Sequence, residues 1–356
     1  MGQKKIGFGI IGCGMISDFH INAIEELKDK AKIIGITDTV SSSAEKMSLR
    51  HGGLRIFSSV DEMLENKEVN AVCICTPSGY HAENIVKAAK KGKNIVVEKP
   101  LAITKEQLDE VISVCEENKT VLEVISQLRF SKDIRKAKLT LDSGELGKLV
   151  CADMYMKYYR SQEYYDSGSW RGTKKLDGGG ALMNQGIHGV DLLQYLAGDI
   201  KSVFAYSGTL ARNIEVEDTL CAAVEFESGA LGVIQATTSV YPGYPRRIEL
   251  NGSCGSITIE ETSITKMDID GSTSEDLTFR SPVRSGSSTA MNISNDYHTL
   301  QISDFIDSVR EKKTPFVDVN EGRKAVDAVL AIYKSAREGR KVYLEEMNPK
   351  PNKSFC

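Results

Sequence analysis

Short apolar runs recur through the first third of the chain, each handing over to a helical pattern, and this alternation constrains the fold more than any other feature. Lys5–Ile11, Lys32–Thr37, Leu54–Phe57, Ala71–Cys75, Asn94–Val97 and Val121–Ile125 read as strands. They are short, β-branched and almost continuously apolar, as strands buried on both faces are. Between them, Met15–Lys30, Ser59–Glu65, a segment ending at Lys91, and Thr104–Asn118 carry helical spacing; Ile16, His20, Ile24 and Leu27 form one stripe. Strands alternating with helices at this spacing predict a parallel, doubly wound sheet over residues 1–127, an α/β Rossmann domain.

The first strand runs into glycines in two competing registers. Gly7-Phe8-Gly9-Ile10-Ile11-Gly12 matches GxGxxG but lies inside the strand and leaves no turn. Gly12-x-Gly14-x-x-Ser17 sits where strand gives way to helix, so backbone N–H groups, including those of Met15 and Ile16, and the helix dipole can hold a pyrophosphate. The second register is chosen. Asp38 ends the second strand about 20 residues on, where an acid binds ribose hydroxyls. Thr39 follows, with no arginine for a 2′-phosphate, which favours NAD over NADP. The plain alternative for Asp38 is a turn or cap residue.

Two further strand ends carry chemistry. Ala71–Cys75 leads to Thr76-Pro77-Ser78-Gly79-Tyr80-His81, and Asn94–Val97 leads to Glu98-Lys99-Pro100. Ligands of open α/β sheets bind beyond the carboxyl ends of the strands, so Lys99 projects into the binding crevice. The proline stops further pairing and restricts the lysine backbone. Taken alone, Lys99 reads as a solvated surface lysine rather than a catalytic one; the residues before and after it make the case.

After Gln127–Arg129 the pattern changes. A helix is expected at Ile134–Ser143 and strands at Leu149–Tyr159, Ser202–Thr209, Thr219–Phe226, Ala230–Thr238, Arg246–Asn251, Ser256–Ile259 and Ile264–Ile269. Glu227-Ser228-Gly229 and Asn251-Gly252 join neighbours as hairpins, giving an α+β domain with a large, mostly antiparallel sheet over residues 128–356. Asp270–Asn295, rich in Ser, Thr and Gly, reads as a mobile loop, and the segment after Glu346 as loose. Tyr297–Arg310 and Glu321–Arg337 return as amphipathic helices. Within this half, Leu176–Asp191 sets the glycines 178–180 before a helical run that places Asn184, His188 and Asp191 on one face. That stripe suits a group gripping sugar hydroxyls; the alternative is a core histidine with Asp191 as a surface acid. A metal reading is poor, because no second histidine or carboxylate cluster accompanies it, and no metal is expected.

Composition excludes other classes. A net charge of −4 leaves no electrostatic footprint for nucleic acid. No apolar stretch is long enough to span a membrane. Lys4-Lys5 before Ile6–Ile16 imitates a signal peptide, but its glycines fit a nucleotide-binding turn better. The eight cysteines are scattered without a CxxC pair, so all are expected reduced and the chain cytoplasmic.

The ordered set Gly12-x-Gly14, Thr76-Pro77-Ser78-Gly79-Tyr80-His81, Glu98-Lys99-Pro100, Gly178-Gly179-Gly180 and Gly186-Ile187-His188 resembles the glucose–fructose oxidoreductase / inositol dehydrogenase / rhizopine catabolism (Gfo/Idh/MocA) family over nearly the whole chain. The resemblance implies a Rossmann domain followed by an α+β domain whose open sheet mediates homodimers or homotetramers. It implies oxidation of a secondary hydroxyl of a sugar, inositol or nucleotide-sugar, or reduction of the ketone. The family's lysine falls on Lys99 and its histidine on His188; the aspartate many members carry four residues earlier is here Asn184, which cannot accept a proton at neutral pH. The expectation is therefore an NAD-dependent dehydrogenase in which His188 takes the hydroxyl proton and Lys99 stabilises charge on the same oxygen. Glu98 orients Lys99 or holds the nicotinamide ribose; Gly12, Gly14, Met15, Ile16, Asp38, Thr76, Pro77 and His81 complete the cofactor set. Arg129, Tyr158, Arg160, Trp170 and Arg171 reach toward substrate or serve structure. The alternatives are a dihydrodiol or ketone substrate on the same fold, and a non-catalytic NAD-sensing regulator.

Overall fold

A computed structural model of the chain describes residues 4–271 and 295–348. The expected loop Asp270–Asn295 and the end of the segment after Glu346 therefore lie, for the most part, outside the described residues. Within them the chain forms two compact units, one of residues 4–127 and 295–323, the other of 128–271 and 324–348.

The first unit is a five-stranded parallel sheet of β1 (Ile6–Ile11), β2 (Ala31–Thr37), β3 (Ala71–Ile74), β4 (Asn94–Val97) and β5 (Leu122–Val124), in the order β2-β1-β3-β4-β5. Every residue of β1 and β3 is buried, as their unbroken apolar sequences require. Strand order reverses between β1 and β3, so the crevice where such sheets bind ligands opens beyond Ile11 and Ile74. Helices α1 (Met15–Glu26), α2 (Ser41–Arg50), α3 (Val60–Glu65), α4 (His81–Lys90) and α5 (Lys105–Asn118) fill the connections. Ser59 and Thr104 cap α3 and α5 with side-chain oxygens that accept from Glu62 and Gln107 N–H.

One expectation fails here, and one helix was not expected. Leu54–Phe57 is no strand: it touches the sheet edge by a single bridge, Ile56 to Ile36, with two backbone hydrogen bonds, before turning away. Helix α2 gave no sequence signal because it buries only Ala44, Met47 and Ser48, too few apolar positions for a periodic stripe. The chain also returns to this unit late. Helix α9 (Asp296–Glu311) buries Ile302, Phe305 and Ile306 in the core cluster containing Phe8 and Ile10, and Phe305 meets Phe8 at 5.9 Å. Residues 295–323 thus group with the first unit rather than with everything after residue 127.

The second unit is an eight-stranded sheet built from β6 (Leu149–Lys157), β7 (Ile200–Gly208), β8 (Thr219–Phe226), β9 (Leu231–Thr237), β10 (Arg247–Gly252), β11 (Gly255–Glu260), β12 (Ser263–Ile269) and a two-residue edge strand β13 (Val342–Tyr343), ordered β12-β11-β10-β6-β9-β8-β7-β13. Every pairing is antiparallel except β6 with β9. Burial alternates along β7 and β8, so one face packs a core and the other is exposed. Helices α6 (Lys132–Asp142), α7 (Gln162–Asp166) and α8 (Ile187–Ala197) belong to this unit, and α10 (Val319–Glu338) runs from the first unit into it. Met154 of β6 lies about where a side chain on Gly189 of α8 would stand, 3.1 Å away, so the glycine permits close packing of helix on sheet. Among the described residues no helix is long and apolar enough to cross a membrane.

Candidate active site

The glycine turn after β1 assigns each glycine a different job. A side chain on Gly7 or Gly9 would run into the Glu68 carbonyl at 2.0 Å or Met63 Sδ at 2.4 Å, so these two serve packing inside the strand. Gly12 has φ +96° and lies against the Cys75 carbonyl, a position that only glycine fills without strain. Gly14, the residue before α1, faces open space, and Met15 beside it is 66% exposed. The register with Gly12 and Gly14 at the turn therefore matches the geometry. Asp38 accepts from the N–H of Cys13 and of Val40, 2.7 Å each, so its carboxylate ties the end of β2 to this turn.

The residues present fit a dinucleotide. Open space stands at Gly14 and the first turn of α1, where N–H groups of a helix terminus attract phosphate. Thr76 Oγ1, at the end of β3, is a buried hydroxyl with no hydrogen-bond partner, and Pro77 leads from it into a single 3₁₀ turn, Ser78–Tyr80. His81 places Nδ1 2.6 Å from the Pro100 carbonyl and Nε2 2.9 Å from the Thr76 carbonyl. Burial draws its pKa below the usual imidazole value against the pull of those two acceptors. Whatever His81 contributes to a cofactor passes through the two turns it joins.

Beyond β4, Glu98 is buried and Lys99 half-buried, and the Lys99-Pro100 peptide is cis. Glu98 Oε1 lies 2.8 Å from His20 Nε2, and Glu98 Oε2 accepts from the backbone N–H of Lys99 at 3.3 Å. Burial opposes the charge on Glu98, but the His20 contact outweighs it and brings the carboxyl down to about 2. Burial likewise opposes charge on His20, whose pKa nevertheless stands well above 6.5. Its neighbours Cys73 and Cys75 do not explain that, since the Cys75 thiol is pushed up to about 11 by burial and is neutral at pH 7. The Glu98 carboxylate does. His298, from α9, completes the cluster: burial brings it down to about 4, and neither of its ring nitrogens has a hydrogen-bond partner. The three side chains bring one ligand-type atom each within 4.8 Å, but the short His20–Glu98 contact is that of a hydrogen-bonded ion pair. Sequence reasoning missed this pair; the one available signal was a histidine inside the otherwise apolar stripe of α1.

In the second unit, the glycines 178–180 lead into a π-helical turn, Ala181–Gly186, before α8 begins. Glu217 accepts from the N–H of Gly180 and of Leu182, 2.9 Å each, and from the Tyr333 hydroxyl at 2.8 Å. Tyr333 Oη in turn lies 3.2 Å from the Met183 N–H. Burial raises the Glu217 pKa, and these donors pull it back. They draw the first turn off the α-helical ladder, which is why the expected simple helix from Ala181 is not found. His188 lies half-buried in the first turn of α8.

Of the expected stripe, Asn184 and His188 are half-buried and Asp191 is buried. Asp191 is buried and takes a two-pronged contact from Arg129, 2.9 Å and 2.6 Å, so it is no surface acid, and Arg129 is engaged in structure. Asn184 donates to Asp177, which sequence reasoning overlooked, and accepts from Gln185. Tyr158 is buried with its hydroxyl 2.9 Å from Glu261, and burial raises its pKa; it too is held by structure. Trp170 remains half-buried beneath the Arg171 guanidinium at 4.5 Å.

Comparison with known proteins finds matches in both units. Residues 6–126 match an oxidoreductase family with an NAD-binding Rossmann fold, and residues 134–258 the GFO/IDH/MocA C-terminal domain. The WlbA dehydrogenase of Bordetella pertussis, solved with NADH and UDP-GlcNAcA, is similar with a TM-score of 0.86 and 33% identity, covering 96% of this chain and 99% of that one. Myo-inositol 2-dehydrogenase of Thermotoga maritima is 26% identical over 95% of this chain and 98% of its own length. The NAD(+)-dependent scyllo-inositol 2-dehydrogenase of Bacillus subtilis is 27% identical over 96% and 97%.

Proposed function

The chain belongs to the GFO/IDH/MocA oxidoreductases, and from that premise we propose that it oxidises a secondary hydroxyl of a sugar, inositol or nucleotide-sugar with NAD. The observation that carries the reading is Lys99, set at the carboxyl end of a buried strand with its backbone amide held by an ionised, buried Glu98. Relatives that act on inositols or hold UDP-GlcNAcA support the substrate class.

Bound NAD supplies a hydride acceptor. The protein's own residues do the rest. Gly12, Gly14, Met15 and Ile16 receive the pyrophosphate, Asp38 the adenine ribose, and Thr76 with Pro77 the strand end beside the nicotinamide ribose. Lys99 donates a hydrogen bond to the reacting oxygen and stabilises its developing charge. His188 accepts the hydroxyl proton. Asn184, lacking a titratable group, orients the substrate. A regulator that only senses NAD has no use for both Lys99 and His188.

The exposed face of the eight-stranded sheet, where Tyr206 and Leu231 are 72% and 60% exposed, supports a homodimer or homotetramer. Free, buried Cys13, Cys73, Cys75 and Cys115 support a reducing compartment such as the cytoplasm.

The test is NADH formation from NAD with inositols, free sugars and UDP-sugars, repeated with Lys99→Met and His188→Ala. Loss of one oxyanion donor lowers kcat by roughly a hundredfold or more, with NAD affinity little changed. Nearly unaltered kcat in Lys99→Met would return that lysine to the surface.

A further inference from the structure

Among the described residues, the buried arginines have carboxylates beside them, with one exception. Arg129 is paired with Asp191, Arg246 with Glu261 and Arg323 with Asp109. Arg160, 8% exposed, has only neutral partners: its guanidinium donates to the Tyr159 carbonyl at 2.9 Å and to Gln185 Oε1 at 3.3 Å. Leaving a guanidinium buried without a counter-charge is costly.

A second guanidinium stands close by. The Tyr164 ring has Arg160 5.4 Å from its centre and Arg171 4.4 Å from it, and Arg171 donates to the Tyr164 hydroxyl at 2.7 Å. Arg212 adds a third, donating to the Arg160 carbonyl at 2.7 Å. Among the described residues none of the three makes an ion pair. The carboxylates of the same stretch are engaged or turned outward: Asp177 accepts from the Gly172 N–H and from Asn184, and Glu163 is exposed. Two guanidiniums against one phenol, with a third over the Tyr159 ring at 5.1 Å and bonded to the backbone of one of them, and none of them in an ion pair, make a site for an oxyanion.

The cluster is wired to the catalytic segment. Gln185, which accepts from Arg160, donates to Tyr164 at 3.0 Å and to Asn184 at 2.9 Å, one turn before His188. We propose that Arg160, Arg171 and Arg212, arranged by Tyr164 and Gln185, bind an anionic group of the substrate, a hexuronate carboxylate or a nucleotide-sugar diphosphate, so that the preferred substrate is an anionic sugar rather than a neutral polyol. This rests on the dehydrogenase reading of the same segment.

The experiment measures binding and turnover separately. Calorimetry of the NAD-saturated protein uses UDP-glucuronate, UDP-glucose, glucuronate and myo-inositol as probes, and NADH formation is followed with each. UDP-glucuronate should bind more tightly than myo-inositol, and Arg160→Gln and the less buried Arg171→Gln should each weaken it roughly tenfold or more, as loss of a charge-assisted contact does. Arg171→Lys, which keeps the charge, should recover part of that affinity, which a purely structural arginine would not show. If glucuronate carries the loss the carboxylate is the ligand; if UDP-glucose carries it, the diphosphate is. Anion binding without NADH formation would uphold the subsite and refute the dehydrogenase reading. Oxidation of myo-inositol with no affinity for any anionic probe, or anion affinity untouched in both glutamine variants, would overturn the proposal.

Discussion

Replacing His20 by leucine tests the buried ion pair from which the Lys99 turn is hung. In the native protein Glu98 titrates at about 2 rather than 4.5. That difference of about 2.5 pKa units corresponds to about 3 kcal/mol of stability at 1.36 kcal/mol per unit. Leucine removes both the charge and the donor, while burial continues to disfavour the carboxylate, so the loss should fall in the range of about 3–5 kcal/mol found on breaking buried pairs. The sign with pH follows from both partners. The lowered Glu98 contributes stability above pH 4.5 that fades as pH falls toward about 2; the raised His20 contributes stability below pH 6.5 that fades as pH rises through its folded value. The penalty of His20→Leu should therefore peak between those limits and shrink on either side. Native-state hydrogen exchange at Ile95, Val96 and Val97, read from pH 5 to 8.5, follows it. Adding Glu98→Gln to His20→Leu should cost less than the sum of the single changes, by about 3 kcal/mol. A penalty flat with pH, or strict additivity, would show the pair is not ionic.

Three other outcomes follow from named contacts. Arg129→Ala should destabilise the second unit by about 3–5 kcal/mol, since it strands Asp191 as a buried charge, with NAD affinity unchanged; urea unfolding and an NAD titration check both halves. Gly180→Ala would set a methyl 1.7 Å from the Glu217 carbonyl, so it should cost on the order of 1–3 kcal/mol as an overpacked site does, lower kcat more than it changes KM for NAD, and be read by thermal melts beside steady-state kinetics. Asp38→Ala should weaken NAD binding and narrow the preference over NADP, because the carboxylate ties the glycine turn and is the acid proposed for the ribose; tighter binding of NADP by the unaltered protein would refute that assignment.

Legibility followed the range of the interactions. The five parallel strands were readable because burial on both faces keeps their sequences mostly apolar, with Lys32 and Glu123 the charged exceptions. The sheet of the second unit was readable from alternation and hairpin signals. Leu54–Phe57 misled because three apolar residues around Arg55 suit a buried edge turn as well as a strand; Phe57 is buried while Ile56 is 43% exposed. The π-turn at Ala181–Gly186 could not be read, since the groups that draw its N–H donors aside, Glu217 and Tyr333, come from the loop before β8 and from α10, far along the chain. Asp191 kept its place seven residues after Asn184, yet its partner is Arg129, 62 residues earlier. Periodicity reports which way a side chain points. It carries no information about which charge it meets.

The same division applies to the two residues proposed to do the chemistry. Lys99 and His188 are local facts of sequence, legible as a strand end and a helix turn. Their aim is set at a distance, and in both cases by a buried carboxylate. Glu98 receives its charge balance from His20, 78 residues away, and holds the amide of Lys99. Glu217 accepts two N–H groups of the turn that leads into α8, and has Tyr333 as its own donor. A lysine with three rotatable donors and a helix begun on a π-turn are both soft elements, and a fixed acceptor beneath each makes it a defined one. Substitutions at Glu98 and Glu217 should accordingly lower kcat without any contact to substrate, and a chain that retains Lys99 and His188 but loses either acid would keep the motif and lose the geometry.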